Sequence, residues 1–262
     1  MKNFFVFVQK EWKQFLRELK IIWFPVVFLF LGITQPVVSY YLPSILKALG
    51  GGQGITIDPS MTAQQGGQVL ASTLGSQFDQ LGVIIIIVSL MGIVQSDKAN
   101  GMLSFILTRP VSITSYLSGK IISHYLFIAC SVTIGYFISY AYVVFLFTSV
   151  PLMPLFLSLL YYLIWVLFIV SFTTMVSTIF NSQGMIALLS IVFLLGCRII
   201  VGLNPIIDSL NPASMSSFAT KLLITGNFEP ITLWSLLSTI FWLLVTILMT
   251  NRWISKKKFH TD

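Results

Sequence analysis

Long uncharged apolar runs, separated by short polar stretches, set the pattern of this chain. The first covers 21–42, with Trp23, Tyr40 and Tyr41 near its ends. About 20 apolar residues carry a helix across ~30 Å of hydrocarbon, because only internal hydrogen bonds satisfy the backbone there. Aromatic rings favour the interface, so this run reads as a span with a belt. Pro25 and Pro36 lie within it, and a kink or early end is expected near Pro36. The second span, 80–96, is the shortest, with an apolar core at 81–94. It reads as a span at the lower length limit or as a re-entrant segment.

From 121 to 197 there is no formal charge in 77 residues. That length holds two spans and most of a third. Thr148, Ser149, Pro151 and Pro154 mark one break, and Asn181, Ser182, Gln183 and Gly184 mark the other. Spans are therefore expected at 121–147, 155–179 and 184–203, and a sixth at 231–250. The fold class is an all-α integral membrane protein with six transmembrane helices in one domain, 1–262. The 43–79 loop begins rich in glycine and has a candidate helix at 61–78. The 204–230 loop has room for short re-entrant or interfacial helices. No 20–50-residue repeat is present.

Composition agrees: of 262 residues, 56% are hydrophobic and 9% charged, against about 25% charge in a soluble domain. Fifteen Lys/Arg against eight Asp/Glu give a net charge of +7. On a membrane protein this excess concerns sidedness before nucleic acid, and no nucleic-acid partner is expected. With the N-terminus inside, twelve bases fall on one side (Lys2, Lys10, Lys13, Arg17, Lys20, Lys98, Arg109, Lys120, Arg252, Lys256, Lys257 and Lys258). Lys47 and Lys221 fall on the other, and Arg198 lies within span five. Both termini are expected in the cytoplasm, with 251–262 as a basic tail. The first apolar run is too long for a signal peptide and lacks a small-residue cleavage site, so it is expected to be retained.

Residues 1–20 place Phe5, Val8, Trp12, Phe15, Leu16 and Leu19 at helical spacing, with Lys10, Lys13, Arg17 and Lys20 on another face. This predicts an amphipathic helix in the cytoplasmic interface. It serves either as a plain anchor for span one or as an elbow that also meets a cytoplasmic partner.

After span two, residues 95–120 mix charge with a short apolar patch. Met102, Leu103, Phe105, Ile106 and Leu107 supply apolar surface, Asp97, Lys98 and Arg109 supply charge, and Pro110 ends the helix before it. A short helix at 98–108, flat on the cytoplasmic face, is expected. By itself the segment reads equally as a solvated connection or a docking surface.

This stretch resembles the loop after span two in permease subunits of ABC-2 type ABC transporters, E-x-x-x-G-T-L-x-x-L-L-x-x-P-[VI]-S ending near G-K. Asp97 stands at the acidic position. Gly101, Leu103, Ile106, Leu107, Pro110, Val111 and Ser112 match, and Gly119-Lys120 closes the motif. Met102 replaces the usual Thr and Ser104 a frequent Glu. Chain length, six spans, the N-terminal helix and a long first outer loop extend the resemblance over nearly the whole chain. It implies that 97–110 is a coupling helix seated on a cytoplasmic ABC ATPase subunit, with Asp97, Lys98, Gly101, Met102, Phe105, Arg109 and Pro110 as its contact set. It also implies a second permease chain, identical or related, and export across the cell membrane.

No chemistry of the chain's own is expected. Gly119-Lys120 lacks the upstream glycine and following Ser/Thr of a phosphate-binding loop, so ATP belongs to a partner and no cofactor is expected here. Catalytic and metal residues are none: the histidines are His124 and His260, Cys130 and Cys197 fall on different helices, and no acid lies within the expected spans. Arg198 is the intramembrane charge. It either snorkels outward, pairing with Asp208, or meets an anionic substrate at an outer gate. Asp58, Asp79, Asp208 and Glu229 read as outer-face acids. Rival readings are a secondary transporter or channel driven by an ion gradient, an immunity or sensor subunit that captures a partner, and a membrane enzyme. The substrate is not legible.

Overall fold

The computed structural model describes residues 2–49, 65–108 and 112–256. Among them every regular element is a helix, and six helical stretches are long and apolar enough to cross a membrane. α1 (Lys2–Arg17) precedes α2 (Lys20–Leu49), with Leu19 at φ 53° in the sharp turn between them. α2 continues through Pro25, Pro36 and Pro43, so the early end expected near Pro36 does not occur. Without water to reward a freed carbonyl, a helix in lipid tolerates an interior proline.

The second span is a composite: α3 (Gly66–Ser72), a π-helical stretch Thr73–Gly82, α4 (Val83–Leu90), then a turn into α5 (Gln95–Ala99). It starts well before residue 80 and includes Asp79, which belongs to the helix and not to an outer loop. α6 (Met102–Leu107) follows. α7 (Ile113–Leu146), capped by the Ser112 hydroxyl accepting the Ser115 N–H, begins eight residues earlier than 121. α8 (Leu152–Ile179) and α9 (Gln183–Ile200) follow closely. The 204–230 segment folds into α10 (Pro205–Leu210) and α11 (Ser214–Thr225) before α12 (Ile231–Lys256).

α7 and α8 form the middle of the bundle and are its most buried spans, while α9 is the least buried. α2 packs along α7, α1 lies across the start of α7, and α12 packs on α8. α11 buries Met215, Phe218, Ala219 and Leu222 against α8 and α3, so it is part of the core. The α2–α7 crossing is tight: a Cβ on Gly32 would lie 2.2 Å from the Gly135 carbonyl oxygen. Small residues permit such backbone approach where lipid offers no hydrophobic drive to associate.

Candidate functional site

The site is built around α5 at the end of the bundle that carries α1. Its first half is a buried charge network. Lys120 on α7 is almost completely buried, and its ammonium reaches Glu11 Oε1 at 3.1 Å, Asp97 Oδ2 at 3.0 Å and the Ile93 carbonyl at 2.6 Å. Lys120 hydrogen-bonds the Ile93 carbonyl and ion-pairs with both carboxylates, of which Glu11 Oε1 has no hydrogen-bond partner among the described residues. Asp97 also accepts from the Tyr116 hydroxyl at 2.7 Å and pairs with Lys10 at 3.3 Å. The loop is thus tied to α1 through Lys10 and to α7 through Tyr116 and Lys120. Burying charge is tolerated here because each ion has a counter-ion, and Lys120 and Asp97 add hydrogen bonds.

The second half uses the neighbouring residue. Lys98 donates to the Thr178 carbonyl at 3.0 Å, to the Phe180 carbonyl and to Asn181 Oδ1 at 3.2 Å. These groups close the end of α8, where a helix leaves carbonyls without partners and a cation is favoured. Gln95 extends the seam, donating to the Asn181 carbonyl and accepting from Gln183 on α9, both at 2.9 Å. The Ser177 hydroxyl donates to the Met91 carbonyl and accepts the Val94 and Gln95 N–H groups.

Four of the expected contact residues are set by this framework. Asp97 and Lys98 face inward, on opposite sides. Gly101 has φ 68° and splits the segment, so the single helix expected at 98–108 is two: α5 and α6. A left-handed glycine after Asn100 stops one helix, and its carbonyl then accepts from Ser104 Oγ at 2.6 Å. Met102 is exposed, with its sulfur 3.2 Å from the Lys10 ammonium. Phe105 lies on the backbone of α6. Arg109 and Pro110 lie outside the described residues.

Three features departed from the sequence expectation. Lys120 is a buried hub and not one of the solvated inner bases. α1 presents Phe7, Glu11 and Phe15 to α7, while Phe5, Trp12, Leu16 and Leu19 face outward. Glu11 was not legible as buried, although it sits four residues from each of two phenylalanines, and Lys120 and His124 form a matching i, i+4 pair on α7. At the elbow, burial alone would raise the Glu18 carboxyl, but Lys20 at 2.6 Å and Gln14 at 2.6 Å hold it below the usual range.

At the opposite end, Arg198 pairs with Asp79 and not with Asp208. Its Nε donates to Asp79 Oδ2 at 2.7 Å, the Ser216 hydroxyl donates to the same oxygen, and Tyr162 and Trp165 flank the carboxylate. Asp208 instead accepts the Gly202 N–H at 2.8 Å. The expectation that no acid lies within a span therefore fails at Asp79, whose charge is balanced by Arg198 across α9 and α11.

A six-span helical bundle with a knitted, charged segment after span two defines a multi-span helical membrane protein. The sequence matches the ABC-2 family transporter proteins over residues 6–257, and the chain belongs to that family. It is thus a transport permease. It is also 34% identical over 236 residues, covering 90% of this chain and 91% of the relative, to the uncharacterized transmembrane protein YxlG of Bacillus subtilis (strain 168).

Proposed function

We propose that this chain is the membrane-spanning subunit of an ATP-driven exporter and that α5–α6 passes motion from a separate ABC ATPase subunit into the bundle. The observation that carries this reading is the junction at Asp97 and Lys98. One side chain holds α1 and α7, and the next holds the end of α8. A push on α6 would therefore reach both central spans through ionic and hydrogen-bonded contacts, where a solvated connection would absorb it. Exposed Met102 supplies apolar surface for the ATPase, and Arg109 and Pro110 complete the contact set. The basic residues at this end support a cytoplasmic position for it and for both termini, with the protein in the cytoplasmic membrane. The whole of 1–262 acts as one domain beside a second permease chain, and the sparsely covered α9 and the lipid-facing sides of α2 and α12 supply surface for that chain and for lipid.

A span region without acids would argue against the ion-gradient rival. Asp79 removes that simple argument, but its carboxylate is committed to Arg198. The same engagement leaves Arg198 a holding role at the outer end in preference to a substrate contact. The test is reconstitution with the candidate ATPase in vesicles. Asp97→Asn and Lys98→Ala should each lower permease-stimulated ATP hydrolysis several-fold while the ATPase alone is unaffected. Flux that continues without any ATPase and follows an imposed ion gradient would overturn the reading.

A further inference from the structure

A second polar feature adjoins the charge network and shares Glu11 and Lys120 with it. A cavity of about 330 Å³ opens between α1, the start of α2, the end of the second span and the start of α7. That volume is at the lower end of the range for small-ligand sites. Its walls include Glu11, Glu18, Lys20, Trp23, Lys120 and His124.

The hydrogen-bond accounts of these groups are unequal. Lys120 donates to the Ile93 carbonyl and is ion-paired with Glu11 and Asp97, and Lys20 is paired with Glu18 at 2.6 Å. The ions lining the wall are balanced, so net charge does not select a ligand. Two acceptors are left bare. His124 Nδ1 stands 3.0 Å from the Lys120 carbonyl oxygen. A carbonyl only accepts, so Nδ1 carries the proton, and Nε2 of the neutral ring is an acceptor. Nε2 lies 3.9 Å from Glu11 Oε2, too far for a bond between them. Glu11 Oε2 accepts no hydrogen bond among the described residues. Glu11 and His124 are 1% and 6% exposed, and the ring of Phe15, edge-on at 4.8 Å, holds the imidazole in place.

Two acceptors 3.9 Å apart, on side chains that line one cavity, have among the described residues no donor that serves both. A primary ammonium fits, since its protons diverge and can reach both atoms at once. An anion would have to compete with the Glu11 and Asp97 carboxylates for Lys120. Trp23 and Val88 are 40% and 46% exposed on the cavity wall. An indole favours a cation, and the exposed apolar side chains offer a path for an alkyl chain toward lipid. We infer that this cavity is a binding site for an amphiphilic primary amine, its ammonium donating to Glu11 Oε2 and His124 Nε2 and its alkyl chain leaving past Trp23 and Val88.

Binding is measured on the purified permease by itself, so the outcome is independent of ATP coupling. Radiolabelled octylamine should bind saturably, at one per chain. Octyltrimethylammonium, with the same charge but no N–H donor, and octyl sulfate should compete at least about tenfold less well, the scale of a charged hydrogen bond. His124→Phe keeps the ring packing and should weaken octylamine binding about tenfold or more. Should that variant fail to fold, as read by its melting temperature, Trp23→Leu takes its place and should weaken binding about threefold or more. Equal competition by octyltrimethylammonium, or unchanged octylamine affinity in whichever folded variant is used, overturns the assignment.

Discussion

Lys120 Nζ lies 3.0 Å from Asp97 Oδ2, and this buried ion pair pins the segment after the second span to the third. The pair shares its cation with Glu11, so Lys120 is the buried counter-ion of two carboxylates, and the more exposed Lys10 is their second. Lys120→Met would leave both without that buried counter-ion. Removing one partner of a buried pair costs about 3–5 kcal/mol, so this variant should lose most of its margin in a detergent melting experiment. Asp97→Asn should lose less, because the Tyr116 hydroxyl can still donate to the amide oxygen.

Lys98 is a different case. It closes the end of α8 through three oxygens, and Lys98→Ala leaves those carbonyls at a helix end where water has access. The expected stability loss is about 1 kcal/mol. Transport driven by ATP should fall much further than the melting temperature does. A parallel fall in both would mean that Lys98 merely holds the fold.

Asp79 and Arg198 give a pair-specific test at the other end. Arg198→Met leaves a buried carboxylate with the Ser216 hydroxyl as its bonded donor, so melting should occur well below the parent. Asp79→Asn with Arg198→Met removes both charges and should recover part of the loss. A double variant no better than the single would show that the two residues act separately.

Two glycines test backbone geometry. At Gly101 an added Cβ finds open space, its nearest neighbour being Ser104 Oγ at 4.0 Å, so Gly101→Ala measures left-handed strain alone. It should cost about 1–2 kcal/mol and disorder the α5–α6 junction. Gly32→Leu meets the Gly135 backbone directly and should prevent α2 from seating on α7, seen as loss of folded protein on size-exclusion chromatography.

The spans were legible because hydrocarbon enforces long apolar runs, and span four is within three residues of its expected start. The second span was misjudged at its beginning. The stretch 66–79 is rich in Gly, Ser and Gln and holds Asp79, which reads as loop until Arg198 and Ser216 supply its partners from α9 and α11. The same limit hid Glu11 and Lys120. A charge next to an interface counts as solvated in a sequence, and only the tertiary approach of α1, α5 and α7 neutralises it. Asp97 and Lys98 stand out in the sequence as charges flanking an apolar patch, but their adjacency gives no hint that they point to different spans. Gly101 splits the expected helix because left-handed backbone ends one helix and begins another, a local choice that apolar patterning does not record.

The most direct test of the central claim places a photo-crosslinking amino acid at Met102, exposed on α6, in otherwise native membranes. The account predicts a crosslink to an ATP-binding polypeptide, and its loss when Lys98→Ala and Asp97→Asn are combined. A crosslink to lipid alone, with the ATP-binding partner attached elsewhere or absent, would contradict it.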